Sequence, residues 1–397
     1  MTRFLDNQYT LSVDCALLED GSVRQADIVI IDGIIADIRC AAEVEPCGVI
    51  ALPGIVDLHG DAIEHPLMPR PGVNMPVEVA LFDTDRRLAA NGITTALHGL
   101  TCSWEPGLRS AAMIDAVLAG LDRLAESLWV DHRVHLRFES HALDAVANAE
   151  RWMASGRVDL LTVNRHFPMM LEQIDSPSHL APLAKRSGLT TAEYQDLLRS
   201  IAAREAEVEQ AVARVFAAAV KTGVVRASHD DRTVEERLYN RSHGAVIVDF
   251  PTALPAAKAA HEAGEPVIMG SPNVVRGGSH MSKGISATDL VLQGYCTILA
   301  SDYFYPALPA AAIKLWREHG LSLASAWNLV SANPAEAVGL GDRGTLAVGK
   351  RADIVLLDVG GDAAATPSIV EVHAAGRRVL SGSRRRAGAA MQQRLSA

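Results

Sequence analysis

The sequence predicts an α/β fold, a (β/α)8 TIM-like barrel with a small β-sandwich domain formed by both chain ends. Three observations lead there. Short β-rich runs alternate with helical stretches through the middle of the chain, and the two ends read as β-structure alone. The length of 397 residues exceeds the roughly 250 that a barrel takes, which leaves room for one smaller domain. Residues 1–52 and 341–397 are assigned to the sandwich and 53–340 to the barrel.

Taken in order, VRQADIVIIDGIIADI (23–38) reads as two strands around Asp32-Gly33, a dipeptide that tolerates the positive φ of a tight hairpin. Barrel strands are expected at 55–59, 93–98, 134–139, 158–164, 224–229, 245–249, 267–270 and 297–302, with helices at 77–90, 109–127, 254–263 and 308–319 among those that follow them. A doubly wound open sheet is the alternative, but no GxGxxG follows the first strand. Segment 171–222 is long for a crossover, and Thr190-Thr191-Ala192-Glu193 resembles a capping box. It is read as a helical insertion near the barrel mouth or at a subunit contact. GTLAVGKRADIVLLDV (344–359) is again strand-like, and the last 21 residues hold six Arg and no acid, a frayed or interface-seeking tail.

Composition removes several function classes. Hydrophobic residues at 49% and charged residues at 21% exclude wholesale disorder. A formal charge of −10 argues against a general nucleic-acid binder or an acidic-membrane binder. Five scattered cysteines without a CxxC argue against a disulfide framework or a cysteine zinc site. No apolar run reaches the 18 or so residues of a membrane span, and the N-terminus offers no signal-peptide core, so a cytoplasmic protein is expected. Only six of the 37 basic residues are Lys.

The strongest local signal is LPGIVDLHGD (52–61), an apolar strand that ends in His59-Gly60-Asp61 with both ligand-type side chains on one pleat face. Other candidate strands end alike: VHLRFE at Glu139, LLTVNRH at His166, VVRASHDD at His229 and TILASD at Asp302. Barrel active sites are built at these C-terminal ends, and His, Asp and Glu are ligands that divalent metals take. Each residue also has a plainer reading. His166 and His229 can be hydrogen-bonded loop histidines, Glu139 can pair with Arg137, and Asp302 can cap the next helix. GSPNVVRGGSH (270–280) puts Asn273, Arg276, Ser279 and His280 after the seventh strand, where glycine lets backbone approach an anion; a tight structural turn is the alternative.

LPGIVDLHGD, the six ligand-type positions and GTLAVGKRADIVLLD together resemble the amidohydrolase superfamily, in which a metal-dependent barrel carries a small β-sandwich. PRPGV (69–73), NGITT (91–95), HLRFE (135–139), SHDD (228–231), FPT (250–252), GSPNVVRGGSH and SDYFYP (301–306) resemble its phosphonate-metabolism branch. Two departures stand out. That branch has Met-Asp-His before Thr-Pro-Gly where this chain has Asn164-Arg165-His166-Phe167-Pro168, and Asn where this chain has Ala62.

The resemblance implies a hydrolase with two divalent ions per chain, one ion being the alternative, zinc first, with manganese, nickel or iron as other metals. His59, Asp61 and Asp302 hold one ion and His166 and His229 the other. Many members bridge their ions with a carboxylated Lys at a strand end; no Lys of this chain stands at one, so Glu139 takes that place. A divalent cation lowers the pKa of bound water from about 16 toward 7, and Asp302 orients that water and accepts its proton. The expected reaction is release of pyrophosphate from a phosphorylated ribose phosphonate, with Arg70, Arg165, Arg276 and Lys283 around the phosphates. Hydrolysis of an amide or cyclic amide is the alternative, and a barrel that has lost catalysis and serves in assembly is a third. Expected partners are a small anionic substrate and further copies of the chain, with no nucleic acid and no membrane.

Overall fold

The computed structural model describes residues 8–279, 284–360 and 367–382. The chain divides into two units, Met1–Gly54 with Thr345–Ala397, and Ile55–Gly344. In chain order, β1 (Gln8–Leu17), β2 (Val23–Ile31), β3 (Ile34–Glu43) and β4 (Val49–Pro53) belong to the first unit. The second holds β5 (Ile55–Gly60), β6 (Ile93–Cys102), β7 (Asp131–Glu139), β8 (Leu160–Asn164), β9 (Val225–His229), β10 (Ile247–Asp249), β11 (Val267–Gly270) and β12 (Ile298–Ala300). The first unit resumes with β13 (Ile354–Asp358), β14 (Ser368–Ala374) and β15 (Arg377–Ser381).

The end strands form one sheet in the order β15-β14-β13-β4-β1-β2-β3, so that the two ends of the chain meet where β13 pairs with β4. The β2–β3 hairpin turns on Asp32 at φ 50° and Gly33 at φ 83°. A Cβ at Gly33 would also lie 2.7 Å from the Ala375 carbonyl oxygen, so the turn needs glycine twice over. Ile28, Ile30, Ile35, Leu346, Ile354 and Leu356 close the core of this unit. Arg377 and Arg378 begin β15; the other four Arg of the expected tail, 384–386 and 394, lie outside the described residues.

The eight strands β5–β12 run parallel in sequence order. The barrel closes where Asp302 N–H donates to the His59 carbonyl (2.9 Å) and Asp61 N–H to that of Asp302 (2.7 Å). Val56, Leu97, Leu160, Ala227, Ile247, Ile268 and Ile298 form a buried cluster drawn from seven strands. With a period of two, the residues two further along the same faces include Gly99, His229, Asp249 and Gly270, so an apolar plug supports a polar layer above it. Leu and Val residues on the opposite strand faces pack with Phe138, Trp152 and Phe216 beneath the surrounding helices.

Between β8 and β9 the insertion contributes helices Pro177–Arg186, Thr191–Ala202 and Val208–Thr222. Tyr194, Leu198 and Leu180 pack on Phe167 just after β8. Arg186 donates to Glu105, in the loop after β6, and Tyr194 O–H donates to the same carboxylate, which docks the insertion on the mouth side of the barrel. Thr190 and Glu193 form the reciprocal capping box. Thr190→Ala is expected to cost about 1 kcal/mol locally, so that the amides of the first turn exchange about fivefold faster with deuterium; unchanged exchange there removes the cap's contribution. No helix among the described residues is long and apolar enough to cross a membrane.

Candidate active site

His59, Asp61, His166, His229 and Asp302 line one cavity of about 290 Å³ at the C-terminal ends of the barrel strands. His59 lies at the end of β5 and Asp61 just after it, His229 ends β9, and His166 and Asp302 follow β8 and β12. Arg137, Asp230, Asn273, Arg276 and Ser279 share the lining. Asp230, Phe250 and Asp302 hold φ values of 58°, 52° and 56°, three of the five non-glycine left-handed residues among those described. Their strands therefore end in strained backbone that aims side chains into the cavity.

Asp249 organises the two inner histidines. Nδ1–H of His59 (2.8 Å) and Nδ1–H of His229 (2.9 Å) both donate to its Oδ2. Burial works against its charge, yet the two imidazoles hold this carboxyl well below the usual range, so it is ionised and can only accept. The Nδ1 protons are thereby fixed and both Nε2 atoms are turned to the cavity, where a metal can take them once any proton has left. His59 Nε2 lies 3.4 Å from Asp61 Oδ1. Neither atom has a hydrogen-bond partner, although both are buried. Such a pair is favourable only with a cation between its atoms, either a proton on the imidazole or a divalent ion that takes the proton's place. The field there is strongly negative: the carboxylates of Asp249 and Asp61 outweigh burial and raise the His59 pKa to about 10. A Cβ at Gly99 would collide with Asp61 Oδ1, so β6 must carry glycine where it passes this carboxylate.

Glu139 does not line the cavity. It accepts from His166 Nδ1 (2.7 Å) and from the His166 amide (3.3 Å), which holds that ring from behind. The other ring nitrogen of His166 faces Asp230 Oδ2 at 3.3 Å. Burial opposes a charge on His166, but its hydrogen bonds to Asp230 and Glu139 outweigh it and raise the pKa to about 9. Burial pushes Asp302 up to about 6, against the attraction of His59. Asp231, the second aspartate of SHDD, turns away: it accepts from Ser228 Oγ (2.6 Å), Arg237 Nη1 (3.3 Å) and Asn240 Nδ2 (2.7 Å) beside helix Val234–Ser242.

The expected phosphate contacts separate. Arg276 and Ser279 line the cavity, and Arg276 makes no ion pair among the described residues. Asn273 lines it too, but its side chain is committed to the Ile285 carbonyl (3.0 Å) and the Ala287 amide (2.9 Å), which ties helix Ser271–Arg276 to helix Ala287–Leu292. Arg70 stays in an exposed turn with Val73, away from the cavity. Arg165 is held by Glu209 (3.1 Å) and the Tyr239 hydroxyl (2.8 Å), both outside the cavity lining. His280 and Lys283 lie outside the described residues.

Residues 209–380 match the model of the Amidohydrolase family. The chain is 33% identical over 315 residues to the α-D-ribose 1-methylphosphonate 5-triphosphate diphosphatase of Escherichia coli (strain K12), covering 77% of this chain and 82% of that protein. The chain belongs to the amidohydrolase superfamily. Solved folds similar to this amidohydrolase include a triazine hydrolase variant (TM-score 0.62, 14% identity, 94% of each chain). A 5-methylcytosine deaminase from Klebsiella pneumoniae liganded with phosphonocytosine is another (TM-score 0.57, 17% identity, 91% of this chain and 96% of that one). This amidohydrolase is a metal-dependent hydrolase that resembles the E. coli diphosphatase. Members of the family generally use divalent metals, and its cavity offers His and Asp groups able to hold one.

Proposed function

We propose that the chain hydrolyses α-D-ribose 1-methylphosphonate 5-triphosphate, releasing pyrophosphate. The observation that carries this reading is the juxtaposition, in one cavity, of the unpartnered donors His59 Nε2 and Asp61 Oδ1 with Asp302 and Arg276. His59 and Asp61 would hold a divalent ion, zinc first, with Asp302 beside them in the cavity. A divalent ion there supplies Lewis acidity and raises the acidity of water in the cavity.

Asp302 takes the proton of the attacking water. Its pKa is near neutrality because of burial, which suits a group that must be ionised before the step and protonated after it. The water oxygen bonds to the phosphorus that carries the ribose 5-oxygen, the bond from that phosphorus to the oxygen bridging it to the β-phosphorus breaks, and pyrophosphate leaves with the electron pair. Arg276 meets the departing phosphates, since its fork matches their oxygens.

The departures at the fourth strand do not weigh against this reading. Phe167 is buried on His141, with ring centroids 4.2 Å apart, and Arg165 pairs with Glu209 of the insertion, so of that segment only His166 meets the cavity. Ala62 is buried outside the lining. The substrate cavity therefore does not contain the altered positions.

Phosphorus NMR of the metal-loaded protein with the ribose triphosphate tests the assignment: a pyrophosphate signal is expected, and an unchanged spectrum sinks it. Arg276→Ala is expected to lower kcat/KM by about tenfold to a hundredfold, as for a lost charge-assisted hydrogen bond, with metal content unaltered. Unchanged kcat/KM removes Arg276 from phosphate binding.

A further inference from the structure

Arg137 is a cation that neither the ligand set nor the phosphate contacts account for. It stands two residues before Glu139 on β7 and is buried inside the barrel. Nη1 donates to Asp61 Oδ2 at 2.5 Å and Nη2 donates to His229 Nε2 at 3.1 Å. The other oxygen of Asp61 is the unpartnered one that faces His59. Asp61 thus spans two positions, one facing His59 and the other filled by a guanidinium. A carboxylate that spans two cations is the arrangement of two-metal sites, whose ions lie about 3.5–4 Å apart.

His166, His229 and Asp230 offer ligand atoms within 4.8 Å of one another and form a second candidate donor set. It is already engaged. His229 Nε2 accepts from Arg137, and His166 is held by Glu139 at Nδ1 and by Asp230 at Nε2. A second ion would have to displace the guanidinium from both His229 and Asp61 and leave a buried charge without its partner, which is the costly way to break a buried pair. Arg137 cannot shed that charge by losing a proton, and the Asp61 and Asp249 carboxylates reinforce it against burial.

We propose that Arg137 occupies the second cation position of this site, so that the chain binds one divalent ion on His59 and Asp61 and uses the guanidinium in place of another. This rests on the metal-dependent hydrolase reading and replaces its two-ion expectation. Arg137 then presents a fixed positive charge beside the ion at the floor of the cavity, where the reacting phosphate needs it, while Arg276 serves the outer phosphates.

The test is a metal count made without substrate. The chelator-stripped protein is titrated with zinc at buffered free concentrations, and bound ions are counted by equilibrium dialysis with elemental analysis. Wild type is expected to saturate at one ion per chain, Arg137→Lys at one, and Arg137→Met at two. Wild type that saturates at two ions of similar affinity overturns the proposal, as does a folded Arg137→Met that stays at one. If Arg137→Met does not fold, the wild-type and Arg137→Lys counts decide, two ions in either overturning it. No bound ion in wild type defeats the metal reading itself, whereas one bound ion with no pyrophosphate release defeats only the substrate assignment.

Discussion

Replacing Asp302 by asparagine is expected to lower kcat by about 10²- to 10⁴-fold, the range contributed by a positioned proton acceptor. Asparagine keeps the shape and one oxygen but cannot take a proton at neutral pH. The backbone at Asp302 is left-handed, a conformation that asparagine also tolerates, so the variant is expected to fold with its β5–β12 hydrogen bonds intact. The pH dependence separates this role from a structural one. Burial, working against the attraction of His59, raises the Asp302 pKa from 3.8 to about 6, and a divalent ion beside it pulls the value back down. The base works ionised, so kcat/KM of the loaded enzyme rises with pH through a limb between those two values, and the limb disappears in Asp302→Asn. A limb that persists in the variant assigns the proton to another group.

Asp249→Asn is expected to weaken metal affinity by about 10- to 100-fold, as found when a carboxylate behind a ligand histidine is removed. In the native site one oxygen accepts from both histidine Nδ1–H groups. An amide oxygen accepts more weakly, and the amide hydrogens now compete for the same space, so neither ring is held to the tautomer that turns Nε2 inward. Affinity measured against a competing chelator, with the thermal midpoint followed in parallel, checks it. Unaltered affinity in a folded variant shows that Asp249 does not hold the rings for a metal. The thermal midpoint is not expected to fall in step, because the substitution also removes a charge from a dry environment.

The barrel was legible because each of its strands is an apolar run of strand length between turn residues, and eight such runs in alternation leave few other folds. Most of the ligand-type residues that line the cavity were legible for a related reason: His59, Asp61, His229 and Asp302 interrupt that apolarity at the strand tip. Asp249 ends AVIVD in the same manner, but it precedes Phe250-Pro251 and has no second polar residue on its pleat face, so a solvent-facing strand end explained it equally well. Arg137 reads locally as the partner of Glu139, two residues on. Its real partner is Asp61, 76 residues earlier, brought across by barrel closure. Arg70 and Arg165 failed for the opposite reason. They sit in loops whose side chains go where local partners are, and Glu209 and Tyr239 supply those for Arg165.

The closing seam between β5 and β12 bears on the order in which the molecule is made. Asp57, which accepts from the Ser301 amide (3.0 Å) and hydroxyl (2.5 Å), is 244 residues away from its partner. His59 and Asp61 leave the ribosome early and Asp302 late, so the complete donor set does not exist until the eighth strand has docked against the first. Contacts of such sequence separation form late, after a large loop-closure entropy has been met. An ion that prefers the complete set binds only the finished barrel, and its binding free energy is added to ring closure and not to any single strand or helix. Metal capture on these residues would therefore act as a latch on the last step of folding.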